Sequence, residues 1–190
     1  MKKLIAITIA LASLLALCAC GGVTPAEKPD PAAPAFDKEG YKGMLDTALT
    51  LVSDFNEESF AKVIPQCEID YNIKEFASRD KDYIELVKQE YAATAAAYAE
   101  TYGDDWKLSY VINSVDEKDA EGIEKYKSFD NFYFTSYGVE LDKISAVTFV
   151  KATVKIEGSK GSNTKDKTLQ CFCYNNEWYS FYAVRFGFKL

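Results

Sequence analysis

The sequence predicts an α+β fold, with helices first and a curved, mainly antiparallel sheet last. Three observations predict it. Apolar residues recur at helical spacing from Tyr41 to Tyr102, they alternate with polar residues from Trp106 onward, and short polar turns rather than crossover-length segments separate the later strands. With 190 residues, 48% hydrophobic and 27% charged, the chain has material for one ordinary domain plus a tail. No internal repeat interrupts this reading.

Residues 1–19 read as an export signal. Lys2-Lys3 precede an apolar run from Leu4 to Ala19 that is too short to span a bilayer as a helix, and small residues follow it. Residues 21–36, GGVTPAEKPDPAAPAF, hold four of the five prolines and no periodic apolar pattern. They are expected to form a stiff spacer ahead of a single domain at 37–190.

Within that domain, Tyr41, Met44, Leu45, Ala48, Leu51, Val52 and Phe55 mark the first helix. Asn56 caps a short second helix that Pro65 stops, because the residue before proline is pushed out of the α region. Ser78 or Asp80 then opens a long helix that runs to Gly103, and its small residues Ala92–Ala97 suggest close approach by another element. Trp106, Leu108, Tyr110 and Ile112 alternate with Lys107, Ser109, Val111 and Asn113 as a strand with one apolar face. A helical interlude is expected from Asp119 to Tyr137, ending at Gly138. Three strands follow, at Ile144–Glu157, Lys167–Tyr174 and Trp178–Val184, with turns at Gly158–Asp166 and Asn175-Asn176-Glu177.

Two resemblances arise from these residues. Leu17-Cys18-Ala19-Cys20 resembles the bacterial lipoprotein lipobox, which implies removal of residues 1–19 and lipidation of Cys20, the cysteine that follows a small residue. Two acyl chains there would supply the double hydrophobic signal that stable anchoring needs. The order of helices, strand, inserted helical segment and long paired strands resembles the cone-shaped nuclear-transport-factor-2-like (cystatin-like) domain. Its one local motif here is Trp178-Tyr179 after a short turn. That resemblance implies a fold and no particular activity, since the family holds enzymes, ligand binders and inert accessory domains.

The chemistry the chain lacks narrows its function. It has no histidine, which removes Ser-His-Asp and Cys-His catalysis and the commonest metal ligand. Loss of Lys2 and Lys3 with the signal leaves 20 basic residues against 29 acidic ones, so nucleic acid is not an expected partner. No metal site or cofactor is expected. Cys-x-Cys at 171–173 lacks further ligands, and the acidic stretches lack calcium-loop spacing. Cys67, Cys171 and Cys173 are either buried small hydrophobes or the source of one disulfide. In the latter case Cys67 pairs with Cys171 or Cys173, because two cysteines two apart on one strand are poorly placed to bond each other.

Aromatic residues are the remaining signal. Many of the 27 Phe, Trp and Tyr residues fall at 126–137 and 172–188, more than helix packing on one sheet face requires. The concave side of the sheet, supplied by Trp106–Ile112 and the three C-terminal strands, is therefore the expected functional surface. Tyr133, Tyr174, Trp178 and Tyr182 are its candidate ligand or partner contacts, each with a polar tip. Together these readings describe a lipid-anchored module on the extracytoplasmic face of a bacterial cell membrane, which binds a small apolar ligand or an envelope protein. The alternative is a small cavity enzyme of isomerase or dehydratase type.

Overall fold

A computed structural model describes residues 37–188 and residue 190. The expected signal, the lipidated Cys20 and the spacer lie outside the described residues. A compact unit spans residues 36–190 and has its own hydrophobic cores, as an independently folding domain does. Among the described residues no helix is long and apolar enough to cross a membrane.

The predicted α+β class is what forms. Four helices come first: α1 at Tyr41–Ser53, α2 at Glu57–Phe60, α3 at Gln66–Ala77 and α4 at Tyr83–Tyr102. Then come β1 (Lys107–Glu117), α5 (Ala120–Phe129), α6 (Asn131–Tyr137), β2 (Ile144–Gly158), β3 (Gly161–Tyr174) and β4 (Glu177–Tyr179). The sheet is an open antiparallel meander in the order β1-β2-β3-β4.

Caps explain several helix boundaries. The Asn56 side chain accepts from the Ser59 amide at 2.8 Å and starts α2 as expected. That helix ends at Phe60 instead of running through Val63 and Ile64 to Pro65, so Pro65 does not stop it. Pro65 sits at the N-terminal boundary of α3, where its missing N–H costs nothing, and so opens a helix that sequence periodicity does not reveal. The long helix is capped by Asp82, whose carboxylate accepts from the Glu85 amide at 3.1 Å, and not by Ser78 or Asp80. Ser78 closes α3, and Asp80 takes a left-handed turn conformation with φ 56°. The 20 residues of α4 make it about 30 Å long, and its alanines at 92, 93, 96 and 97 face solvent instead of a neighbour. Tyr91 and Tyr98, two turns apart, are its buried stripe.

Strand boundaries also depart from expectation. β3 begins at Gly161, six residues before the predicted start, because SNTKDK pairs along β2 with solvent on both faces and so has no apolar alternation to read. The β2–β3 turn is only Ser159-Lys160. Gly158 beside it is required, since a Cβ there would lie 2.3 Å from the Tyr102 carbonyl oxygen. Asn175 and Asn176, with φ of 53° and 66°, make the tight turn into β4. That strand stops at Tyr179 instead of reaching Val184. The Ser180 amide turns to the Val63 carbonyl, and Ala183, Phe186 and Phe188 tuck beneath the helices. Phe188 packs edge-on against Tyr91 at 4.7 Å, and the Tyr98 hydroxyl donates to the Gly187 carbonyl at 2.6 Å.

The sheet therefore buries two faces rather than one. α1 to α4 and the C-terminal segment cover one face, where Val150, Ala152, Val154, Ile156, Cys171 and Cys173 meet Leu45, Val52, Phe60 and Ile64. α5 and α6 cover part of the other, where Tyr126, Phe134, Val139, Val147, Phe172 and Tyr179 form a second core. Much of the aromatic surplus expected at the functional surface is this second core.

Candidate binding face

The expected single helical interlude is two helices hinged at Asp130, which ends α5 and begins α6 with φ −94° and ψ 12°. Asp119 starts the pair by accepting from the Gly122 amide at 2.9 Å, and Gly138 ends it in the left-handed region at φ 74°. The break turns Tyr126 and Phe134 inward, where they pack edge-on at 5.6 Å. It turns Phe129 and Phe132 outward, at 82% and 75% exposure. Tyr133, beside Phe132, and Tyr182 are also exposed. Phe132, Tyr133 and Tyr182 make an aromatic ridge, and Phe129 adds exposed aromatic area at the end of α5.

Beside Phe129, α5 leaves a groove of about 360 Å³ against the sheet, lined by Lys118, Gly122, Lys125, Tyr126, Phe129, Phe149 and Gln170. Lys118 Nζ sits 4.4 Å from the centre of the Phe149 ring, a cation–π contact, and also pairs with Asp116.

Two acids are buried, one on α3 and one at the break between α5 and α6. Glu68 of α3 is 7% exposed and its Oε2 has no hydrogen-bond partner among the described residues. Burial pushes its carboxyl up to about 8, and burial first, with the Glu68 charge second, raises the Tyr83 and Tyr137 hydroxyls. Asp130 is buried too, and its Oδ2 has no partner among the described residues. Burial raises its carboxyl, while a hydrogen bond with Tyr126 opposes that shift.

The four expected aromatic contacts do not form one site. Tyr133 and Tyr182 come together on the ridge, where burial first and the neighbouring Tyr133 second raise the Tyr182 hydroxyl. Tyr174 is half-buried at the margin of the second core. Trp178 corrects the expectation most clearly. It is 5% exposed in the first core, packs edge-on to Tyr41 at 5.6 Å, and its Nε1–H donates to the Asp37 carbonyl at 2.7 Å. Its polar tip is already used.

Cys67, Cys171 and Cys173 are unbridged in this structure. Burial raises all three thiols, Cys171 to about 12, as expected of thiols that act as small packing groups. Among the described residues no cluster of metal-ligating side chains occurs.

Sequence reasoning missed the groove and Glu68. Phe129 and Phe132 were legible as members of an aromatic group, but their outward direction depends on the break at Asp130. Lys118, Phe149 and Gln170 come from separate elements that only sheet register brings together. A scan of protein-family models and searches of curated proteins and solved structures found no match to this chain.

Proposed function

We propose that the protein is a lipid-anchored, extracytoplasmic binding module of nuclear-transport-factor-2-like architecture, and that it works through the α5–α6 side of its sheet. The observation that carries this reading is the exposure of Phe129 and Phe132 beside an apolar groove. Covering a phenylalanine fully is worth about 1.5–3 kcal/mol, and only contact outside the domain recovers that here. The architecture draws support from helices followed by a four-stranded antiparallel sheet with an inserted helical pair. The anchor draws support from Leu-x-Ala-Cys at 17–20 and the Pro-rich residues after it.

The test is photo-cross-linking in cells, with the reactive side chain placed at Phe129 or Phe132 and, as control, at exposed Ser162 on the far end of β3. Adducts at 129 and 132 but not at 162 support a binding face there. Adducts at none of the three positions overturn it.

The enzyme reading has one specific observation in its favour. Glu68, held protonated to about pH 8 beside Tyr83 and Tyr137, has the acid strength of a general acid–base group. It is not among the residues that line the groove. Turnover by the soluble domain that Glu68→Gln abolishes would move the reading to an isomerase or dehydratase.

A further inference from the structure

We infer that the groove between α5 and the sheet binds a small amphiphile with a single negative charge, of the fatty-acid kind, with its tail on Phe149 and Phe129 and its carboxylate at Lys125. This rests on the reading of the α5–α6 side as the binding face, and it names the ligand class.

The shape of the groove sets the tail. Its floor is the Phe149 ring, which projects from β2, and the inner wall is Tyr126. Phe129 stands at the rim, exposed enough to fold over an occupant. An open trough of about 360 Å³ with aromatic walls suits a flexible alkyl chain or a single ring.

Charge sets the head. Two lysines flank the apolar floor, and they differ. Lys118 already has Asp116 as ion partner and Phe149 as cation–π partner, so its charge is largely answered within the domain. Lys125 has no ion pair among the described residues and borders the groove directly, on a helix where Lys127 is paired with Glu124. A cation beside an apolar trough attracts an anion and repels a cation.

The neighbouring cleft limits that anion to one charge. Lys118 and Lys125 also border a cleft walled by Asp116, Glu117, Asp119 and Glu121. A phosphate dianion at Lys125 would meet these acids at short range, whereas a monocarboxylate is answered by the one unpaired lysine, with the Gln170 amide as a further donor.

The experiment is an amide-resolved NMR titration of the soluble chain from Gly21 onward with octanoate, below its micelle concentration, with octylammonium as the opposite-charge control. Saturable shifts confined to Lys125, Phe129, Phe149, Gln170 and their neighbours are expected with octanoate and not with octylammonium. Lys125→Glu, at an exposed position that leaves packing intact, is expected to weaken octanoate binding at least tenfold. Gln170→Glu is expected to act in the same direction. Equal binding of octylammonium, shifts spread over the whole surface, or unchanged affinity in Lys125→Glu would overturn the inference. Octanoate failing to bind while Phe129 and Phe132 still cross-link in cells overturns the ligand class alone. Failure of both overturns the binding face as well.

Discussion

Glu68 offers a sharp test of the packing around α3. Its carboxyl stays protonated to about pH 8 in the fold, while in the unfolded chain it ionises near its ordinary value of 4.5. The sign follows from proton counting. Between those pH values the folded state holds a proton that the unfolded state has lost, so stability falls as pH rises, and above about 8 it levels off. The slope is about 1.4 kcal/mol per pH unit, which accumulates to about 3 kcal/mol by pH 7. Glu68→Gln keeps the shape and removes the titration. Its amide leaves a donor to be satisfied in the same buried place, at a cost of about 1–3 kcal/mol that does not depend on pH. The observable is therefore the difference in urea-unfolding free energy between wild type and variant, measured from pH 5 to pH 8. That difference should move in the variant's favour by about 3 kcal/mol or more across the range. Taking the difference removes the similar contribution of Asp130, which is present in both proteins. A difference that stays flat across this range refutes the argument that, among the described residues, Glu68 is buried without a partner.

Other residues give further expectations. Trp178→Phe should cost about 1 kcal/mol in thermal or urea unfolding through loss of the bond to the Asp37 carbonyl. The same variant should leave adduct formation at Phe129 unchanged, and loss of the adduct without loss of stability would return Trp178 to the site. Asp82→Ala should destabilise by about 1 kcal/mol as a lost helix cap, and Asp80→Asn, which keeps a side chain suited to the left-handed turn, by less, so the reverse ranking contradicts the cap assignment. Thiol titration of the denatured soluble chain should find Cys67, Cys171 and Cys173 all free, with only Cys67 reacting quickly in the native state because it is the half-buried one. Recovery of a single free thiol would point to the Cys67 pairing with Cys171 or Cys173 expected from sequence.

What could be read from the sequence, and what could not, follows from how local each signal is. α1 and the first half of β1 carried apolar periodicity set by a single covered face, β2 carried a long β-branched and apolar run covered on both faces in its first half, and all three form where expected. α3 was missed because it buries little beyond Glu68 and Ile69, a stripe too narrow to show as a period, and because Pro65 reads equally as a stop or a start. The early part of β3 was missed because a strand in solvent on both faces needs no apolar residues. The end of β4 was overread because Phe181 and Tyr182 look like strand residues until Ser180 finds Val63, a contact across more than a hundred residues. The same non-locality governed the site. Nothing near Trp178 in sequence reveals that Asp37 will take its N–H, and nothing near Phe129 reveals Phe149 beside it.

The central claim is that Phe129 and Phe132 are exposed for binding and do nothing for the fold. The direct measurement is a paired one on Phe129→Ser/Phe132→Ser, with the photo-reactive group moved to neighbouring Tyr133: melting temperature and adduct yield in the same protein. The account predicts a melting temperature within about 2 °C of the parent, since exposed positions contribute within about 0.5 kcal/mol. It also predicts loss of the adduct. A fall of 10 °C or more, or an adduct that persists at full yield, would contradict it.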